Sequence, residues 1–259
     1  MTSRTAALAT SLALLVPAAC GHGTTASREL LPDLDQIPPQ AISIEGKNGR
    51  ERLVFLSAVE NTGIGPLLVS GRRPIRATAD MSVDQLVRRA DGSVATYPMR
   101  SRLRFVVSET HRHWHLLGFE RYELRTLDGQ AISRDHKTGF CLGDRYDVDA
   151  QTRIPGEPSE AVWTQECGKG QPERLRIREG LSPGFGDDYV PLLEGQYVDV
   201  TGLPPGRYVL VHRVNPRRDL LEASYANNAA SVLLQLSRPA GGPPTVKILA
   251  TCPDSGRCG

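Results

Sequence analysis

Apolar and polar positions alternate along much of this chain, and the alternation predicts strands. In "RLRFVVSE" (Arg102–Glu109) arginines alternate with apolar residues, as on a strand with one wet face. "ERLVFLSAVENTGIGPLLV" (Glu51–Val69) reads as an apolar strand, a turn at Asn61–Gly65 and a second apolar run. "FERYELRTLDG" (Phe119–Gly129) is extended and ends in an Asp-Gly turn. "QYVDVTGLPPGRYVLVHRV" (Gln196–Val214) reads as a hairpin of two alternating strands around Pro-Pro-Gly, and "AASVLLQL" (Ala229–Leu236) as a last strand. Short strands at this spacing predict a mainly β fold: a β-sandwich core with long loops and few short helices. "MSVDQLVRRADG" (Met81–Gly92) is the stretch expected to form one such helix. The span Asp144–Asp188 is charged, turn-rich and long, a pattern that goes with a functional or a stapled loop. "RPAGGPPTVK" (Arg238–Lys247) reads as a linker to a small cysteine-bearing tail.

The N-terminus follows a different pattern. Arg4 and the apolar run "AALATSLALLV" (Ala6–Val16) read as an export signal, too short to span a bilayer. "PAACGHG" places Cys20 after two alanines, as in a bacterial lipoprotein box, although Pro17 stands where leucine is usual. The expected organisation is a signal at 1–20, a linker at 21–29, a main folded domain at 30–238, and a linker with a disulfide tail at 239–259. The expected location is extracytoplasmic, secreted or lipid-anchored at the outer face of the membrane.

Charge adds an exclusion. A net charge of +2 over 259 residues gives no reason to expect nucleic acid as a partner, or a membrane other than through lipid on Cys20. Beyond Cys20 four cysteines remain, an even count that suggests disulfides in an exported protein. Of three connectivities, Cys141–Cys167 with Cys252–Cys258 is preferred, the second closing a small loop in the tail.

The densest chemistry lies in "SETHRHWHLLGFERYEL" (Ser108–Leu124). His111, His113 and His115 fall at i, i+2 and i+4, on one face of a strand. Stacked imidazoles repel one another when protonated, and each needs a partner when buried; a metal answers both requirements. Three nitrogen ligands with open positions suit a catalytic centre better than a closed structural one. Imidazole takes copper, zinc, iron or nickel, so spacing leaves the metal open.

Further motifs bring a family into view. "HRHWHLLGFERYEL", "DHKTGFCLGD", "GLSPGFGDDY" and "LLEASYANNAASV" occur in this order, preceded by "LPDL" and "VENTGIGPLLVSGRRP". Together they resemble the catalytic domain of the lysyl oxidase family, the copper-dependent amine oxidases, from about Leu30 to Leu236. The resemblance implies that His111, His113 and His115 bind copper. It implies that Lys137 and Tyr189 form lysine tyrosylquinone, which neither residue alone would suggest. Primary amines, as peptidyl lysine or small free amines, would then be oxidised with molecular oxygen to aldehydes, releasing ammonia and hydrogen peroxide. Asp187, two residues before Tyr189, is the candidate catalytic base, with a turn residue in Gly-Asp-Asp as its alternative. Some members also bind calcium; the matching residues are Asp33, Leu34, Glu222, Asn227 and Asn228, with Ser224 where an aspartate is expected. A metal-binding β-sandwich without the quinone is the competing reading.

Overall fold

The computed structural model describes residues 27–259 except positions 110, 138, 150, 192 and 194. The export signal and Cys20 lie outside the described residues. Every strand pairing within the three sheets is antiparallel, and no helix is present among the described residues.

The first sheet has the order β12-β5-β6-β7-β8: Arg176–Leu181, Leu67–Arg72, Asp80–Arg89, Val94–Val107 and Arg112–Leu116, with β1 (Glu29–Leu30) against β6. The short helix expected near Met81 is strand β6 instead. Met81, Val83, Gln85 and Val87 are buried at strict alternation, a period of two that a helix would not bury. Gln85 is tolerated inside because its amide donates to the Leu221 carbonyl (2.9 Å) and accepts from the Leu221 N–H (2.7 Å). On β7 the arginines 100, 102 and 104 face water between buried Met99, Ser101 and Leu103.

The second sheet runs β10-β9-β15-β16-β17: Ala131–Arg134, Glu120–Arg125, Gly206–Val214, Ala229–Ser237 and Thr245–Cys252. The third runs β11-β13-β4-β14: Tyr146–Asp147, Phe185–Tyr189, Arg50–Asn61 and Tyr197–Asp199. In it β2 (Leu34–Gln36) and β3 (Gln40–Lys47) also pair with β4. Two sequence expectations are corrected here. β14 and β15, read as one hairpin, join different sheets: β14 pairs with β4, whereas β15 pairs with β9 and β16. Ala229–Leu236 is not the last strand either, because β17 extends the sheet and begins at Thr245, inside the stretch read as linker. Alternation reports a strand but not its partner.

All three sheets contribute to one apolar cluster, which includes Trp114, Tyr122, Phe55, Leu103, Leu210 and Leu234. The disulfides are Cys141–Cys167 and Cys252–Cys258, the preferred connectivity. Bonds of this kind fit an oxidising, extracytoplasmic setting. The first staples the long Asp144–Asp188 span, which also carries β11, β12 and β13. Buried Asp144 organises that span by accepting from the Val162 N–H (2.8 Å), the Trp163 N–H (3.1 Å) and the Ser182 N–H (2.8 Å).

Candidate active site

Strand β8 is the edge strand of its sheet, with β7 on one side, where Phe105 faces Trp114 in register. The histidines sit on the strand face opposite to Trp114, which is fully buried. One ring nitrogen from each of His111, His113 and His115 lies within 4.8 Å of the others. Ring centroids are 4.7 to 5.3 Å apart. His111 precedes the strand and is fixed by Ser108, whose hydroxyl accepts from the His111 N–H at 3.1 Å and lies 3.3 Å from Nδ1.

Electrostatics favours neutral rings. Burial, reinforced by neighbouring imidazoles, pushes His113 down to about 4 and His115 down to about 2. His113 Nε2 and His115 Nδ1 are buried with no hydrogen-bond partner among the described residues. Neutral, convergent imidazoles with unsatisfied buried nitrogens are a donor set that fits a transition metal.

Lys137 enters the same cavity from the loop after β10. Asp135 holds that loop: its carboxylate accepts from the Lys137 N–H (3.0 Å) and the Tyr122 N–H (2.8 Å). Two glycines permit the close approach. At Gly139 (φ +142°) a Cβ would stand 2.9 Å from the Leu116 carbonyl oxygen and 3.0 Å from His115 Cβ. At Gly195 (φ +78°) it would stand 2.7 Å from Lys137 Cα.

Tyr189 ends β13, and Lys137 Nζ lies 5.3 Å from the centroid of its ring. Asp187 shares the Tyr189 face of that strand and is fully buried. It is a strand residue, not the turn residue of the alternative reading. The Tyr189 hydroxyl donates to Asp187 Oδ2 at 2.6 Å, and the Gly143 N–H donates to the same oxygen at 3.1 Å. Arg145 Nε lies 3.6 Å from Oδ1. Burial pushes Asp187 up to about 7, against the pull of Tyr189 and Arg145, and holds Tyr189 well above its ordinary range. The three histidines, Lys137, Tyr189, Asp187 and Arg145 line one cavity of about 170 Å³. Arg145 and Asp135 were not found by sequence reasoning; an Asp two residues before the lysine was the only signal for Asp135.

Behind this cavity lies a buried polar chain that the sequence did not reveal. Glu120 accepts from the Ser57 hydroxyl (2.9 Å) and the Tyr122 hydroxyl (2.7 Å), and Ser57 Oγ lies 3.0 Å from His212 Nδ1. Burial pushes Glu120 up to about 7 and His212 well below its ordinary range.

The five residues matched to calcium also converge. Leu34 N–H donates to Glu222 Oε2 (2.9 Å), and the Asn228 amide donates to Glu222 Oε1 (2.8 Å). The Asn227 amide donates to Asp33 Oδ1 at 3.1 Å. Asn215, missed in the sequence, donates to Glu222 Oε1 at 2.5 Å. Asn227 Oδ1 and Asn228 Oδ1 are buried without hydrogen-bond partners among the described residues. Burial pushes Glu222 up to about 7.

The lysyl oxidase family model matches residues 80–240, more than half of the chain. Similar curated proteins include lysyl oxidase homolog 2 of Bos taurus (29% identical over 132 residues) and lysyl oxidase homolog 4 of Mus musculus (30% over 132 residues). Each alignment covers 51% of this chain and 15% of the relative. Lysyl oxidase homolog 3A of Danio rerio is 29% identical over 137 residues, covering 51% of this chain and 16% of its own length. The chain thus spans a small part of the length of these relatives. The matched span holds the histidine triplet, Lys137, Asp187, Tyr189 and the Glu222–Asn228 segment, but not Asp33 or Leu34. The chain belongs to the lysyl oxidase family.

Proposed function

We propose that this chain is a copper-dependent amine oxidase. It converts a primary amine, oxygen and water to an aldehyde, ammonia and hydrogen peroxide, and it works outside the cytoplasm, secreted or held by lipid on Cys20. The observation that carries the reading is the meeting of three imidazoles, Lys137 and the buried Tyr189 ring in one cavity. His111, His113 and His115 would hold copper. Lys137 and Tyr189 would be joined as lysine tyrosylquinone, which supplies an electrophilic carbonyl and accepts two electrons that oxygen removes.

The remaining residues have physical roles in this reading. Asp187 fixes the tyrosine oxygen and would take a proton from the substrate carbon once Tyr189 no longer donates to it. Arg145 balances the charge of Asp187. Phe140, with its ring 4.9 Å from that of Tyr189, and Leu193 shield the reacting atoms from water.

The test is reconstitution with Cu(II) in air. The expected result is a quinone absorbance that phenylhydrazine titrates, a Lys137–Tyr189 cross-link in peptide maps, and peroxide from an added amine. Full copper occupancy with none of these would instead favour an extracytoplasmic copper-binding β-sandwich. A calcium ion on Asp33, Leu34, Glu222, Asn227 and Asn228 belongs to the same proposal, supported by the two unsatisfied amide oxygens. Calcium titration by calorimetry, with and without N228A, checks it; heat that N228A leaves unchanged would remove the site.

A further inference from the structure

A second cavity, of about 560 Å³, adjoins the catalytic one, and Leu193 lines both. They are also linked through the chain, because His136 lines the outer cavity and Lys137 the inner. The inner cavity has room for an aminoalkyl end only; the outer one is of the size that holds a small-molecule body.

The wall of the outer cavity is set by register. On β4, Arg52 pairs with Glu45 of β3 and with Asp199 of β14, and Val54 pairs with Tyr197. Arg52 and Tyr197 are therefore diagonal neighbours on one sheet face. The Arg52 guanidinium carbon stands 4.2 Å from the Tyr197 ring centroid, and the His136 ring stacks on Tyr197 at 5.0 Å and 24°. This stack fixes a planar, half-buried guanidinium on the cavity wall. Its register neighbour Asp199 does not neutralise it, since that carboxylate is taken by Arg50 Nη1 at 2.6 Å and by the Thr201 N–H at 2.9 Å. Arg52 Nε has no hydrogen-bond partner among the described residues. Lys47 adds a second cation. Glu45 and Glu109 line the cavity too, but both are exposed, where water and salt screen them more than they screen Arg52.

We propose that the outer cavity is a carboxylate subsite, and that the substrate is an amine carrying a carboxylate, held by Arg52, at a distance from the reacting carbon. The proposal rests on the amine-oxidase reading for the inner cavity. Register bounds the spacing. Tyr189 pairs with Ser57 and Tyr197 with Val54, three residues or about 10 Å apart along β4 and on opposite faces of its sheet, so a substrate that joins the two cavities spans at least this distance and passes Leu193, which lines both. Either a long ω-aminoalkanoate or a lysine peptide with an acidic residue nearby has this chemistry.

The experiment compares matched pairs: 8-aminooctanoate with octylamine, and a blocked peptide bearing lysine three residues from aspartate with its asparagine twin. Binding is measured by calorimetry, which needs no quinone, and oxidation by peroxide release. A preference of about 10-fold or more for the carboxylate member, falling to near 1 in R52Q and kept in R50Q, is expected. The pair that shows it identifies the source. Equal binding within both pairs, or a preference that R52Q leaves intact, overturns the subsite. Preference in binding with no oxidation of any amine would sink the oxidase reading while leaving the subsite standing. If R52Q does not fold, R52K replaces it: loss of at least half the preference supports the assignment, and full retention overturns it.

Discussion

Asp187 shows how much one residue depends on its surroundings. Exposed, it would be an ordinary carboxylate; inside β13 it takes the Tyr189 hydroxyl and the Gly143 N–H on one oxygen. D187N keeps the shape but loses both the negative charge and the basicity. We expect amine turnover to fall by about 10²-fold or more with copper content unchanged, measured by peroxide release and metal analysis on one preparation. His113 is the least buried of the triplet, so H113A is expected to abolish stoichiometric Cu(II) binding while the melting temperature of the metal-free protein moves little; spin resonance and a thermal melt check this. At this scale the sequence was legible in parts. Alternation alone brought out the histidines. Lys137 and Tyr189 needed a family resemblance, because nothing local marks a lysine that will meet a tyrosine ring 52 positions away. Asp135, Asp144 and Glu120 were not legible, since their roles arise only when remote backbone N–H and hydroxyl groups close around them.

Elements carry the site by their edges. β8 has β7 on one side, and on the other the Phe140 segment bridges Leu116 while the Cys167 carbonyl accepts from the Trp114 N–H at 2.9 Å. The histidine strand is thus braced by the loops that the Cys141–Cys167 bond ties together. Replacing both cysteines by serine frees a loop of 26 residues and is expected to cost about 3 kcal/mol, read as a lower urea midpoint. Copper affinity should fall as well, because the brace on Trp114 loosens; unchanged affinity would show that β8 holds its own geometry. G139A is expected to act more locally, pushing on Leu116 and His115 from a backbone conformation that favours glycine, with loss of copper binding exceeding loss of stability. Strand positions were mostly readable because burial on one face imposes a period of two. Partners were not: Pro-Pro-Gly marks a turn, but whether the flanking strands pair is decided by which sheet offers each an open edge. Met81–Gly92 was expected to be a helix, whereas most of it is β6, in which the buried Gln85 completes a strand's alternation.

Over the whole molecule the buried titratable groups fall into two opposed sets, and their balance makes a prediction about pH. Burial raises Glu120, Asp187 and Glu222, each to about 7. A carboxyl whose folded pKa lies above its unfolded value binds more protons when folded. Its stabilising contribution is complete below the unfolded value, near 4, and is lost as pH rises through 7. The histidines behave oppositely. His113, His115 and His212 are depressed, so the unfolded chain binds more protons, and their contribution is lost as pH falls from the unfolded value near 6.5. Between pH 4.5 and 6.5 the histidines offset only part of the carboxyl loss, because Asp35, raised to about 6, and buried Glu179, raised well above its ordinary range, add to the carboxyl side. Above 6.5 the unfolded histidines lose their remaining protons by about pH 7.5, and beyond that the folded carboxyls titrate alone. Metal-free protein in chelator should therefore lose stability between pH 6.5 and 8.5, the three carboxyls costing roughly 1 kcal/mol each and the last deprotonation of the unfolded histidines returning about half of that. Urea unfolding at several pH values measures this, and E120Q should recover about 1 kcal/mol of the loss, since glutamine has no proton to release. A pH dependence unchanged by E120Q would mean that Glu120 is ionised in the folded protein throughout this range. Copper binds only neutral imidazole, and His113 and His115 are already neutral at pH 5 in the folded protein, so these two ligands should offer copper no proton competition between pH 5 and pH 7; a copper stabilisation that rises steeply over that range would show that they titrate higher.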